Sequence, residues 1–184
     1  MEDFVKRIVV IEGPSGAGKD TIIKTLTRQY PERFAKLVSV ATRAMRPDES
    51  QGNPYHFVSN QEFDAMVATG DIFEYTMRHG EKRGMSEKYI NELFTEKKIP
   101  LKDCNLIGVN ALKSKFDNVV TIFITADKNE IERRLHRRGD ALADIEKRLA
   151  DYDVCMQEAK HFDHVIINDN LEKTIDKILE IIYN

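Results

Sequence analysis

The run Gly13-Pro-Ser-Gly-Ala-Gly-Lys19 carries the plainest chemistry in this chain. It has the spacing GxxxxGK and lies between an apolar run, Arg7–Gly13, and a segment with apolar Ile22, Ile23 and Leu26 at helical spacing. That context is the one a phosphate-binding loop requires. Glycines let backbone N–H groups turn toward phosphate oxygens. The start of the next helix adds a positive dipole end, and Lys19 adds a point charge. Gly13, Ser15, Gly16, Ala17, Gly18 and Lys19 are therefore expected to hold the phosphates of ATP. The position after the lysine, commonly a Ser or Thr that meets Mg²⁺, is Asp20, with Thr21 next. A carboxylate is also a hard ligand for Mg²⁺. An acid in a first helical turn is equally explained by the helix dipole. Asp20 and Thr21 are the metal candidates.

A second cluster lies in Thr42-Arg43-Ala-Met-Arg46-Pro-Asp-Glu49-Ser-Gln-Gly52-Asn-Pro-Tyr55-His-Phe57. Two arginines three apart, then an acid, a glycine and a tyrosine, suit capture of a second phosphate. Arginine gives forked contacts to phosphate oxygens, and a phenol adds a neutral donor. Standing alone, such residues are most often a solvated loop. A third cluster, Arg133, Arg134, Arg137 and Arg138 before Gly139-Asp140, with Arg148 further on, reads either as a basic helix end or as arginines that close over a transferring phosphoryl group.

With these motifs in view, the chain resembles the guanylate kinases, whose monophosphate-binding signature TRxxRxxExxGxxYxF and phosphate loop it matches. The likeness runs over nearly the whole length, with VIIND and RRLHRRGD in the family's order. It implies Mg²⁺-dependent phosphoryl transfer from ATP to GMP or dGMP. It also implies that Ser39 meets the guanine, that Arg43, Arg46 and Tyr55 grip the monophosphate together with Glu49, and that Glu74 reads the guanine N1 and N2 edge. Lid arginines would be Arg134, Arg138 and Arg148, so Lys19, Arg43 and these three form the expected catalytic set. Asn168 matches a position near the adenine, or else is a turn or cap residue. Two places depart from the family. Its YGT/S turn reads Arg83-Gly84-Met85-Ser86, where Arg83 can replace a tyrosine as phosphate donor but Met85 supplies no hydroxyl. Its apolar strand ending in DxD meets PLKDCNLIGVN. Ungapped counting puts Asp103 and Asn105 on the two acids. The Lys102-Asp103 pair is a poor strand interior, and a strand shifted to Asn105–Val109 is expected instead.

Two other readings share these features. One is an enzyme like the ribose 1,5-bisphosphate phosphokinases, which share the fold and a similar GKD loop. The other is a guanylate-kinase-like module that binds proteins, a class that has typically lost the loop glycines and lysine retained here.

The elements that position these residues are legible as strands alternating with helices. Arg7–Gly13, Val119–Ala126 and His164–Asn168 read as buried parallel strands, and Ile175, Ile178, Leu179 and Ile182 share one helical face. Asp127 with Glu130, and Ser59 with Glu62, signal helix starts. Between these, short strand-like pieces (LVSVAT, YHFV, IFEYT) mark an insert. The expectation is one α/β domain: a parallel-sheet core over residues 1–35 and 100–184, a monophosphate-binding insert over about 36–99, and a lid over about 134–148.

Composition sets limits. The chain has 184 residues, with 41% hydrophobic and 32% charged residues and a formal net charge of −3. These fit a soluble protein and leave no basic footprint for general nucleic-acid binding. Cys104 and Cys155 are far apart, His161 and His164 have no further metal-type neighbours, and no apolar run is long enough for a bilayer. A cytoplasmic protein acting on small nucleotides is expected; nothing in the sequence bears on its oligomeric state.

Overall fold

A computed structural model describes residues 4–183. In chain order the elements are β1 (Ile8–Glu12), α1 (Lys19–Gln29), β2 (Phe34–Lys36), β3 (Val40–Ala41), β4 (His56–Phe57), α2 (Asn60–Ala68), β5 (Ile72–Arg78), β6 (Glu81–Ser86), α3 (Glu87–Thr95), β7 (Ile99–Lys102), α4 (Leu106–Lys115), β8 (Val119–Thr125), α5 (Lys128–Arg138), α6 (Leu142–Glu158), a 3-10 turn (Ala159–His161), β9 (His164–Ile167) and α7 (Leu171–Tyr183). They form two compact units. One comprises Arg7–Pro31 and the chain from Asp103 onward; the other comprises Glu32–Lys102 with the described residues up to Lys6.

In the first unit, β1 and β9 flank β8, both parallel to it, with Ile8 opposite Val119 and Ile122 opposite His164. Ile8, Val9, Val10 and Ile11 are fully buried, as expected of a strand covered on both faces. Thr121 is, with Thr125, a buried polar residue of β8. Its N–H and hydroxyl both bond Asp163 Oδ2 at 2.8 and 2.7 Å, just before β9 begins, so a buried hydroxyl is satisfied and the β8–β9 register is pinned. α1 buries Ile22, Ile23 and Leu26, and α7 buries Ile175, Ile178 and Ile182, as their spacing predicts. Leaving β1, the chain passes Gly13 at φ +143°, where a Cβ would stand 1.9 Å from Ile124 O. No side chain fits at this crossing, which is why the loop must begin on glycine.

In the second unit, β4, β3, β6 and β5 lie side by side in that order, β3–β4 parallel and the others antiparallel. The same unit holds the parallel pair β2–β7, Phe34 opposite Ile99. Val40, Phe63 and Ile72 form a small core beneath α2. The Ser59–Glu62 capping box is present in full at the start of that helix.

One expected element is displaced. Asn105–Val109 is not a strand: the strand is β7, and residues from Leu106 onward form α4, whose first turn is capped by Asn105 Oδ1 accepting from Gly108 N at 3.2 Å. All four residues of β7 are buried, Lys102 at 8% exposure. The objection to a lysine there fails because Lys102 ends the strand and finds oxygens: its ammonium donates to Ser39 Oγ at 2.5 Å and Leu37 O at 3.5 Å. A long stem can be buried when its charged tip is satisfied. Within the stretch that read as strand, Val109 is buried on α4 while Ile107 is 64% exposed, and Val109 continues to Leu112 with helical spacing.

Candidate active site

The loop between β1 and α1 closes around a cavity of about 450 Å³ lined by Ser15, Gly16, Gly18, Lys19, Asp20, Thr21, Lys24, Asp103, Arg134, Leu135 and Arg138. That volume suits a nucleotide-sized ligand. Gly18 starts the helix at φ +102° with no side-chain cap, so the orphan N–H groups of the first turn stay available to an anion. The Lys19 ammonium rests on Gly13 O, and on Pro14 O at 3.3 Å.

The loop is held from α5 and from the end of β9. Asn168 is 5% exposed; its Nδ2 donates to Ala17 O at 2.7 Å, and its Oδ1 accepts from Thr174 Oγ1 at 3.0 Å. Arg134 also donates to Ala17 O, at 3.3 Å, and to Asn168 O, at 2.8 Å, while Glu130 holds its Nε at 3.0 Å. The structure thus places Asn168 as a buttress of the loop. Arg148 donates to Ser15 Oγ, and Asp140 bridges Arg138 and Arg148, 3.4 Å from the latter's Nε. Three expected lid arginines are therefore gathered at the loop. Gly139, at φ +84°, ends α5 and turns the chain toward Asp140.

Asp20 and Thr21 stand exposed on the first turn of α1 and line the cavity. Among the described residues no group of three or more acids, histidines or cysteines could hold a metal. Two hard oxygens without a protein cage fit Mg²⁺, which keeps water and phosphate oxygens in its shell.

In the other unit, Arg43 and Glu49 form a two-pronged ion pair, Nη1 to Oε2 at 2.7 Å and Nη2 to Oε1 at 2.5 Å, with side chains 9% and 11% exposed. Arg43 holds the Glu49 carboxyl down at about 2. The guanidinium lies 5.1 Å from the ring centres of both Tyr55 and Phe57. Its second Nη1–H goes to Ala44 O at 2.9 Å, which leaves Nε–H and one Nη2–H for an incoming anion. Glu49 also accepts from Arg46 N at 2.9 Å. It orders the Arg43 side chain and the Arg46 backbone instead of facing an anion itself. Arg83 donates to Tyr55 Oη at 3.2 Å, so Arg43, Tyr55 and Arg83 form one cationic cluster. Arg46 extends into solvent.

Glu74 in β5 pairs across the hairpin with Met85 of β6, which is 2% exposed. Burial raises the Glu74 carboxyl above its usual range, and the Lys102 ammonium pulls it back. Ser86, next to Met85, is engaged with Asp71 Oδ1 at 2.8 Å and caps α3. It cannot stand in for the missing hydroxyl.

The guanylate kinase family profile matches residues 5–184. The chain belongs to the guanylate kinase family. It is 38% identical over 174 residues to the guanylate kinase of Chlamydia felis, covering 94% of this chain and 85% of that protein. It is 36% identical over 176 residues to the guanylate kinase of Helicobacter pylori, covering 95% and 85%. Its fold matches the crystal structure of guanylate kinase from Anaplasma phagocytophilum with a TM-score of 0.66 and 26% identity, over 98% of this chain and 86% of that one. The SH3-kinase fragment of tight junction protein 3 is alike in fold alone, with a TM-score of 0.56 at 13% identity, over 99% of this chain and 58% of that one.

Within this guanylate kinase framework, Glu12, Asp140 and Lys102 were not singled out as functional from sequence. Asp140 was signalled by following directly on the arginine run through Gly139. Glu12 had only the weak signal of an acid closing an apolar strand. Burial pushes its carboxyl up to about 8, opposed by Lys19 and reinforced by Asp103. A folded pKa above the unfolded value of 4.5 means folding favours the protonated form. The stability this group contributes is complete below about 4.5 and is lost as pH rises through about 8. Glu12→Gln should therefore flatten the fall in stability across that window, read from urea midpoints measured in mildly acid and mildly alkaline buffer. An equal fall in both proteins would show that Glu12 titrates normally.

Proposed function

We propose that this chain transfers the γ-phosphoryl group of ATP to GMP or dGMP, giving ADP and GDP or dGDP. The carrying observation is the cavity in which Lys19, the open N–H groups after Gly18, and Arg134 and Arg138 meet. Phosphoryl transfer asks a protein mainly for positioning and for positive charge around the moving group, and these residues supply both. Mg²⁺, held through Asp20 and Thr21 together with the phosphates, would neutralise charge on the transferring group. Arg134, Arg138 and Arg148 act as the lid, over about 134–148. Arg43, Arg46, Arg83 and Tyr55 take the acceptor phosphate, Ser39 and Glu74 take the base, and Glu49 holds the arginines. These residues divide as a core with a monophosphate-binding insert over about 36–99. Among the described residues no helix is long and apolar enough to cross a membrane, and we place the enzyme in the cytoplasm, acting on free nucleotides.

An ADP-release assay over GMP, dGMP, AMP, CMP, UMP and ribose 1,5-bisphosphate tests this. GMP should be the best acceptor. A carboxylate accepts from guanine N1–H and N2–H together, whereas an amide offers one acceptor and one donor. Glu74→Gln should therefore lower kcat/KM for GMP about tenfold more than for AMP. ADP release with ribose 1,5-bisphosphate and none with GMP would overturn the proposal.

A further inference from the structure

Lys102 is a buried cation that has, among its partners, residues expected to meet the acceptor base. It lies at the end of β7, 8% exposed, and donates to Ser39 Oγ at 2.5 Å. Ser39 is partly exposed, immediately before β3, and Glu74 is half-buried on β5. Lys102 also acts electrostatically on Glu74, opposing the effect of its burial. One ammonium thus serves two groups of the base pocket.

The chemistry of that contact has a direction. A hydroxyl has one proton to give and two lone pairs; an ammonium can only donate. In the Lys102–Ser39 bond, Ser39 Oγ is therefore the acceptor. Its own proton goes to no acceptor among the described residues. With one lone pair taken by the ammonium, a serine that could otherwise turn either way is biased toward offering its proton. Glu74, as a carboxylate, is committed to accepting. The pocket has also given up a hydroxyl at Met85, which is buried and apolar, so the remaining donor has more of the recognition to do.

We propose that Lys102 is a positioning residue that tunes base specificity: it occupies one lone pair of the Ser39 hydroxyl and turns its proton toward the base, so that the pocket favours purine monophosphates carrying a 6-oxo acceptor. The proposal rests on the reading that Ser39 and Glu74 meet the base. Adenine presents an amino group at that position, which gives the oriented proton no acceptor, and a polar site rejects an analogue that leaves its groups unpaired.

The test compares GMP with 6-thio-GMP, which keeps N1–H and the 2-amino group and replaces only the 6-oxo acceptor with a weaker one. The wild-type ratio of kcat/KM for GMP over 6-thio-GMP should exceed that of Lys102→Met about tenfold, the value of a hydrogen bond held by a charged neighbour. Ser39→Ala should collapse the ratio equally, and the double variant no further, because one residue acts through the other. Lys102→Arg should restore most of the ratio. A residue with only a packing role would lower both acceptors alike and leave the ratio unmoved, and that result overturns the proposal. If Lys102→Met does not fold, Lys102→Gln is read the same way, since an amide can also accept and frees the serine to turn. A wild-type protein that releases no ADP with GMP would sink the GMP reading. One that does, with a ratio indifferent to Lys102, would sink only the role of Lys102.

Discussion

Lys19→Ala should lower turnover with ATP and GMP roughly a thousandfold while leaving the thermal unfolding midpoint within a few degrees, because a preorganised cation at the transferring group is lost and little packing changes. The ammonium is tethered to Gly13 O and Pro14 O of its own loop, so it is in place before any phosphate enters and costs no reorganisation when charge moves. The loop does not depend on it for shape. Ala17 O is held by Asn168 and Arg134, and Gly13 sits against Ile124 for steric reasons. The control is therefore Asn168→Ala, which leaves Lys19 untouched but removes the buttress and should lower the unfolding midpoint. Steady-state ADP release and thermal unfolding of both variants separate the two roles. Wild-type turnover in Lys19→Ala would end the phosphoryl-transfer reading.

The parts of this molecule that sequence made legible are those where one physical rule acts alone. Strand β1 is legible because its apolar run, Ile8–Ile11, is covered on both faces. Strand β8 is as well covered but carries Thr121 and Thr125. Strand β9, read as buried, leaves Val165 and Ile167 exposed at 52% and 62%, with Ile166 alone facing the core. The Ser59–Glu62 capping box is a local motif, satisfied within a single helical turn. The phosphate loop is legible because glycine, helix start and lysine must occur in that order. What sequence misplaced is the strand at β7. A lysine at the end of a buried strand is costly unless partners lie far away in the chain, and its partners, Ser39 and Leu37, lie 63 and 65 residues off. Spacing rules carry no information about such contacts. Asn168 and Glu49 were found, but their connections were not legible: one buttresses Ala17 from the far end of the chain, and the other binds the arginine it was expected to accompany. In each case the residue type indicated a polar function, and the fold supplied the partner.

Arg43→Ala should reduce kcat/KM for GMP roughly a hundredfold, with the KM for ATP nearly unchanged, because a forked, charge-assisted grip on the acceptor phosphate disappears. The arginine is preorganised to an unusual degree. Two prongs lie on Glu49, a third N–H on Ala44 O, and the plane lies near Tyr55 and Phe57. The two remaining N–H groups are held in one orientation for a phosphate oxygen. That arrangement makes Glu49 separable from Arg43 in experiment. Glu49→Gln keeps the cation but gives it one acceptor where it had two, so the guanidinium loses its register. Affinity for the acceptor should weaken less than in Arg43→Ala, while kcat falls, because a misplaced phosphate reacts poorly even when bound. Arg43→Lys supplies charge without the fork and should recover only part of the loss. Glu49 is held as a carboxylate down to about 2 by this pair, so acidification to pH values well above that should leave the grip intact. Initial rates over a GMP series at fixed ATP, for the wild type and three variants, measure all of this. If Glu49→Gln matches the wild type in kcat, the ion pair holds the loop together but does not aim the arginine.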